Sequence, residues 1–360
     1  MRRCPPRGFA HEERVWHVSW SPDGTLLASA SSDRTVRIWQ DGKEVSRLED
    51  AHERTIRCVE WSNCGKMLAA ASFDATVTIW TKRVEGVQLE WELSATLEGH
   101  ENEVKGLAWN AGSTVLATCA RDKSIWLWEF QEDCQFELLT VLHGHAADVK
   151  ACAFDDAETS ASYDDLASAS YDDSVKLWTS DGDDDWICYA TVEAHASTVW
   201  DVAFAHLPGF AASHLVTASA DTTVRLWQRA THNGEVHYQP VTTFHDTHGQ
   251  WPVYSLAVSS LFDLSAAAPS GQQQSKCLFL ATGGGDNAIR LFRLVVSPKD
   301  KKKDDTDDDD LLLEPVLRYE RAHDADVNCV RFKPGRPDVL ASAGDDGLVH
   351  VWHLKDDDPK

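Results

Sequence analysis

The 360-residue chain lacks any long hydrophobic run. Its apolar residues, 42% of the total, come in short stretches, none approaching the roughly 20 residues that a membrane-spanning helix needs. The opening MRRCPPRGFAHEER has no apolar segment of the kind a secretory signal carries, and its prolines and acidic pair do not suit an amphipathic transit peptide. A cytoplasmic address, with a nuclear pool allowed, is the expectation. There is no C-x-x-C pair either. The nine cysteines are odd in number, scattered, and mostly set in apolar runs where a free thiol behaves as a small hydrophobe. That pattern supports neither a disulfide framework nor a zinc or cluster site, so no metal and no cofactor are expected. Positive charge is also short: 34 basic against 58 acidic residues leave a net charge of -24. Such a chain repels polyanions, so nucleic acid and anionic membranes are poor partners.

Tryptophan, by contrast, is abundant at 15 residues, and its positions organise the chain. An Asp precedes an aromatic residue by six in SASSDRTVRIW, AASFDATVTIW, TCARDKSIWLW, SASYDDSVKLW, TASADTTVRLW, TGGGDNAIRLF and SAGDDGLVHVW. Upstream of each stands a His followed by an alternating apolar run: His11 with VWHVSW, His52 with IRCVEW, His100 with VKGLAW, His145 with VKACAF, His195 with VWDVAF, His248 with VYSLAV and His323 with VNCVRF. Period-2 alternation, small and β-branched residues and turns such as SPDG read as β-hairpins.

These residues resemble the WD-repeat family, whose GH and WD signatures mark β-propeller blades of four short strands. The resemblance implies an all-β, seven-bladed propeller over residues 1–360, with four antiparallel strands per blade. Inner strand a follows the His, strand b carries LASAS, strand c ends at the Trp, and strand d opens the next repeat. His and Asp then share the upper rim. A Ser-His-Asp hydrolase reading fails on its seven-fold repetition, because a nucleophile needs one special geometry. The sets His52, Asp74 and Trp80; His100, Asp122 and Trp128; His145, Asp172 and Trp178; and His195, Asp221 and Trp227 are expected to lock their blades by hydrogen bonds.

Seven copies in this length average about 51 residues against the ~40 to 45 of a compact repeat. The excess lies at 155–165 and 261–276, between strands a and b, and at 131–134, 180–185 and 296–310, between strands c and d. All of it emerges below. Residues 297–310 are rich in Lys and Asp, a composition that solvates, and are expected to form a flexible loop. The hexapeptide SASYDD occurs twice between residues 160 and 173. Only the second copy holds the Asp of the repeat, so the first reads as an echo on the lower face, insensitive to mutation. The outer strand of the last blade is expected from residues 7–9, short and frayed, beside Pro5 and Pro6.

The upper rim is thus comparatively open. Its contact residues are expected near the start of strand a (Trp16, Arg57, Lys105, Lys150, Trp200, Tyr254, Asn328) and just before the turn Asp (Ser32, Phe73, Arg121, Tyr171, Ala220, Gly285, Asp345). In so acidic a chain, Arg57, Lys105, Arg121 and Lys150 beside Trp16, Phe73, Tyr171 and Trp200 make a basic and aromatic surface. Such residues dominate binding hot spots and suit an acidic, aromatic or carboxylate-bearing peptide.

TLEGHENEVKGLAWN and LATCARDKSIWLWE, together with SFDATVTIW, LASASYDDSVKLW, DDWICYATVEAH and HDADVNCVRF, closely resemble the cytosolic iron-sulfur protein assembly propellers. That resemblance implies a non-enzymatic scaffold that helps deliver clusters to cytosolic and nuclear apoproteins. It implies three kinds of partner besides clients: a small subunit with a reactive cysteine, a HEAT-repeat scaffold, and an iron-only hydrogenase-like carrier protein. The functional Arg of the family's RDKS segment maps to Arg121, and family clients include tails ending in an aromatic residue. The alternative is a different adaptor, such as a ubiquitin-ligase substrate receptor, for which WTKR at 80–83 offers only an echo of a W-D-x-R motif.

Overall fold

A computed structural model describes residues 2–3, 10–85, 88–131, 135–155, 165–180, 185–193, 195–207, 210, 213–232, 235–245, 247–260, 262–263, 276–297 and 310–354. The alternating runs form inner strands, such as Val15–Trp20 and Ile56–Trp61. The runs of Ala and Ser form second strands, such as Leu27–Ser31 and Met67–Ser72, that are buried at every residue. Small side chains are needed there because neighbouring sheets pack on both faces of each strand. Seven antiparallel sheets result, each running a-b-c-d from the inside out; the first is Val15–Trp20, Leu27–Ser31, Val36–Gln40 and Lys43–Leu48. Inner strands of successive blades touch all the way round, including Val15–Trp20 of the first against Val327–Lys333 of the seventh. The fold is a seven-bladed β-propeller.

Its core lies between sheets rather than within them. Leu27 and Trp39 of blade one, for example, pack with Cys329, Ala341, Ala343 and Val349 of blade seven. Closure comes from the N-terminus: Arg2 and Arg3 pair with His353 and Trp352, and Ala10 bridges Leu348. Residues 4–9, including the expected 7–9, lie outside the described residues. So do 298–309 of the Lys/Asp-rich segment and 160–164 of the first SASYDD copy. In blade six, Phe262–Asp263 adds a short strand against Lys276–Gly284, within what the sequence suggested was all loop.

Two backbone features recur in every blade and aim the upper rim. The a-b ladder skips the second residue of strand a each time: Trp16, Arg57, Lys105, Lys150, Trp200, Tyr254 and Asn328. A bulge leaves its extra residue unpaired and re-aims that side chain. The other feature is the b-c turn, where the residue after the Asp has positive φ: Arg34, Ala75, Lys123, Asp173, Thr222, Asn287 and Gly347. Gly347, Asn287 and Asp173 suit that region, whereas a β-branched residue such as Thr222 is strained there. The Asp carboxylate holds the turn closed by accepting the backbone N–H two residues on, as from Thr35, Thr76 and Thr223.

Candidate functional site

In all seven blades the His Nδ1 lies 2.6–3.0 Å from the turn Asp, and its Nε2 lies 2.7–2.9 Å from a Ser or Thr hydroxyl. Six blades add the Trp, whose Nε1–H donates to the same hydroxyl at 2.8–3.1 Å. The carboxylate is a pure acceptor and takes Nδ1–H in the six blades that carry the Trp, which leaves Nε2 of the neutral ring to accept from the hydroxyl; in blade six Arg290 also stands against His248 Nδ1. The seven bridging hydroxyls are fully buried, so these Ser/Thr-His-Asp sets present no solvent-accessible nucleophile. Burial alone would raise the carboxyl pKa values. The hydrogen bonds from the His, the turn hydroxyl and backbone N–H groups outweigh it, holding Asp122 down to about 2 and Asp33, Asp74, Asp172 and Asp221 lower still; at Asp286, also held lower, His248 and the Arg290 guanidinium do this.

The bridging hydroxyl escaped the sequence reading, although it stands four residues before the Asp in six blades, as Ser29, Thr118, Ser168, Thr217, Thr282 and Ser342. Blade two has Ala70 there, and Thr78, its direct cross-strand partner, supplies the hydroxyl instead. Thr78→Val therefore strands both a His52 nitrogen and the Trp80 N–H, and is expected to cost about 2 kcal/mol. Adding Ala70→Ser should restore most of it. A denaturation midpoint that Thr78→Val leaves unmoved, or that Ala70→Ser fails to recover, would refute this exchange.

The bulge residues line the mouth of a central channel of about 390 Å³, where Arg57, Lys105, Lys150, Trp200, Tyr254 and Asn328 meet. Arg57 lies 5.1 Å over the Trp16 ring, and Trp16 donates to Ser32 at 2.8 Å. Lys150 lies 5.1 Å from both Tyr171 and Trp200, and Trp200 meets Tyr254 edge-on at 5.3 Å. Lys105 and Lys150 share Asp148 at 2.8 and 3.3 Å. Burial, helped by neighbouring Lys105, pushes the Lys150 ammonium down to about 8. Arg57 makes no ion pair with a described residue, and its pKa is lowered by burial. Two groups of the expected contact residues thus border the channel: Arg57 with Trp16 and Ser32, and Lys105 and Lys150 with Tyr171, Trp200 and Tyr254. Asn328 is a correction: it is buried and donates to the Val15 carbonyl and to Asp345, so it braces the blade junction rather than a ligand. The expected basic surface is also partly neutralised and confined to one side. Beyond Tyr254 the rim turns acidic, with Asp326 and Asp345 close enough that Asp345, after burial, raises the pKa of Asp326.

Arg121 and Phe73 sit further out, joined through two residues that sequence reasoning passed over. Glu103 accepts from Arg121 at 3.3 Å and from Arg54 at 3.4 Å, and the Arg54 guanidinium lies 6.0 Å from the Phe73 ring. Deeper in the channel, Arg331 donates to Ser255 and to the Leu256 carbonyl and lies 3.6 Å from Asp201; its other nitrogen donates to His17 Nε2 at 3.0 Å. Charged residues inside otherwise apolar strand runs were the signal for this group. His17, Cys58 and Glu60 bring ligand-type atoms within 4.8 Å, but the Arg331 cation already occupies the His17 lone pair. In His323, Asp346 and His350, the other such set, both nitrogens of His323 serve the blade seven lock. Asp165, the last residue of the first SASYDD copy, is also a correction. It accepts from Arg229 at 2.9 Å and from the Tyr189 hydroxyl at 3.2 Å, tying blade four to blade five.

A family profile described as WD domain, G-beta repeat matches residues 4–40, 42–81, 91–129, 136–179, 186–228 and 314–353. Blade six, with Phe292 in place of Trp, lies largely outside those segments. A Chlamydomonas reinhardtii protein named "Probable cytosolic iron-sulfur protein assembly protein CIAO1 homolog" is 39% identical over 372 residues, covering 96% of each chain. The chain belongs to this family of WD-repeat propellers. A Chaetomium globosum member, "Probable cytosolic iron-sulfur protein assembly protein 1", is 29% identical over 324 residues, and the match spans 74% of this chain and 66% of that relative. Among solved structures, the WD40 repeats of RRP9 superpose with a TM-score of 0.69 over 97% of this chain and 96% of that one; at 19% identity they share the fold alone.

Proposed function

We propose that this protein is a non-enzymatic scaffold of cytosolic iron-sulfur cluster assembly, holding partner subunits and client apoproteins while the cluster passes to the client as cargo. The observation that carries this reading is the 39% identity, over 96% of both chains, to a relative named for that process. The upper rim supports it chemically. A mouth of Arg57, Lys105 and Lys150 set among Trp16, Tyr171, Trp200 and Tyr254 offers cations and aromatic faces to an acidic or aromatic segment, and the side chains of the Asp-His-Ser/Thr-Trp sets are consumed internally. The partners would be the reactive-cysteine subunit, the HEAT-repeat scaffold and the iron-only hydrogenase-like carrier, in the cytoplasm. Among the described residues no helix is long and apolar enough to cross a membrane. In this reading residues 1–360 act as one propeller.

Full-length tagged protein passed through cytosol of its own source should recover iron-sulfur apoproteins together with the reactive-cysteine and HEAT-repeat partners. Recovery of ubiquitin-ligase adaptors in their place, or of neither partner, would overturn the proposal. Arg121 is 56% exposed at its side chain and rests on Glu103. Arg121→Glu reverses its charge and sets two carboxylates against each other on the surface, so client capture should fall at least about tenfold. The melting temperature should barely move, because the Arg121 side chain stands largely in water and Glu103 keeps its contact with Arg54. Unchanged capture would remove Arg121 from the client site.

A further inference from the structure

We infer that Arg54, Glu103 and Arg121 form a two-pronged bracket that reads a pair of acidic side chains spaced i and i+2 along an extended client segment. The inference rests on the reading of the upper rim as a client-binding face. Arg54 belongs to the loop entering blade two and Arg121 to the b-c turn of blade three, and Glu103 stands between them. Its Oε1 accepts from Arg54 Nη2 at 3.4 Å and from Arg121 Nη1 at 3.3 Å. The carboxylate is only 15% exposed, whereas the two arginine side chains are 55% and 56% exposed. One sunken anion therefore pins two raised cations, and its pKa is held below the usual carboxylate range despite burial, by a backbone hydrogen bond and the Arg121 charge.

Each guanidinium is further fixed. Arg54 Nη1 donates to the Phe73 carbonyl at 2.6 Å with its plane near the Phe73 ring, and the Arg121 backbone N–H donates to the Glu103 carbonyl at 2.9 Å. A guanidinium has five donor hydrogens, and among the described residues those of Arg54 and Arg121 meet only the Phe73 carbonyl and the Glu103 carboxylate, which leaves most of them available. The charge count leaves one cation uncompensated. Because both contact the same oxygen, the two nitrogens lie no more than about 7 Å apart, a limit that admits the roughly 6.6 Å between alternate side chains on one face of a strand. Adjacent residues point to opposite faces and could not fill both prongs. Glu103 is accordingly a positioning residue: it sets the distance between the arginines and touches no client group.

The test uses the full chain and three fluorescent synthetic peptides of one length: Asp at i and i+2, Asp at i and i+1, and Asn at both i and i+2. Fluorescence anisotropy at low salt should show the i, i+2 peptide binding about tenfold more tightly than the i, i+1 peptide. Arg54→Ala and Arg121→Ala should each abolish that preference, as should Arg54→Lys, which keeps the charge but loses the fork. Glu103→Gln should bind both acidic peptides at least as well as the wild type, since it adds net positive charge, yet lose the preference between them. A purely structural role for Glu103 would not produce that split. Equal binding of the two acidic peptides by the wild type, or a preference that survives Arg54→Lys, overturns the bracket. If cytosolic capture recovers iron-sulfur apoproteins while the peptides bind alike, the bracket fails and the proposed function stands. If the spacing preference behaves as expected but no such apoproteins are recovered, the bracket stands and the function fails.

Discussion

Asp172→Ala is expected to destabilise the protein by about 3 kcal/mol and to loosen blade four first. The Asp172 carboxylate accepts from His145 at 2.9 Å, from the Ala146 N–H at 2.8 Å, and from the Ser174 N–H and hydroxyl at 3.1 and 2.6 Å. Alanine leaves four donors without an acceptor. Those near the surface can turn to water, but the His145 ring is buried, and its Nε2 is tied through Ser168 to Trp178. The loss also reaches the turn, where Asp173 has φ of 67° and depends on the carboxylate to hold its conformation. Amide exchange should rise in Asp165–Ser170 and Ser174–Ser180 before it rises elsewhere. Asp172→Asn, which keeps an acceptor but no charge, should fall between wild type and alanine. Wild-type melting and exchange in Asp172→Ala would end the structural account of the repeat.

Acid should unfold the protein steeply, because the same carboxylate recurs in all seven blades. An unfolded Asp titrates near 3.9. Asp122 is held to about 2, and the carboxyls of Asp33, Asp74, Asp172, Asp221, Asp286 and Asp346 are also depressed. Between the two values the unfolded chain binds more protons than the folded one, so stability rises with pH across that window. In the other direction, the stabilisation is whole above about 4 and drains away as the pH falls through the folded values. Buried His11, His17 and His248 add to the trend. Burial lowers their pKa values, so the unfolded state takes up their protons first once the pH drops below about 6.5. Glu60 runs the opposite way. Burial in the channel pushes it up to about 7, so it costs stability as the pH rises from its unfolded value through 7. The urea midpoint should thus be highest near neutrality and less than half as large at pH 3. A midpoint flat between pH 5 and pH 3 would show that these carboxylates titrate alike in both states.

What the sequence determined by itself is the part of the molecule that repeats. Strand identity, the order of strands in a blade, the number of blades, and the rim shared by His and Asp all follow from seven copies of one pattern. A single packing solution must satisfy every copy, so errors at one blade are corrected by the others. Even the bulge residues could be singled out, since each stands at the same place after its His. Tertiary structure decided what happens once. The hydroxyl of blade two comes from Thr78 because the position facing it is Ala70, a choice visible only when two strands lie side by side. Asn328 braces a junction because it meets Val15, which is 313 residues away in sequence. Asp165 became a tie between blades through Arg229. The charge of the rim was halved by Asp148 and Glu103, loop residues belonging to neither expected contact set. Composition counts charges, but Coulomb energy depends on which of them lie within a few ångströms of each other. Asp148 and Glu103 each also reach a cation of the neighbouring blade, Lys105 and Arg54, and only the packing of blade on blade brings those together.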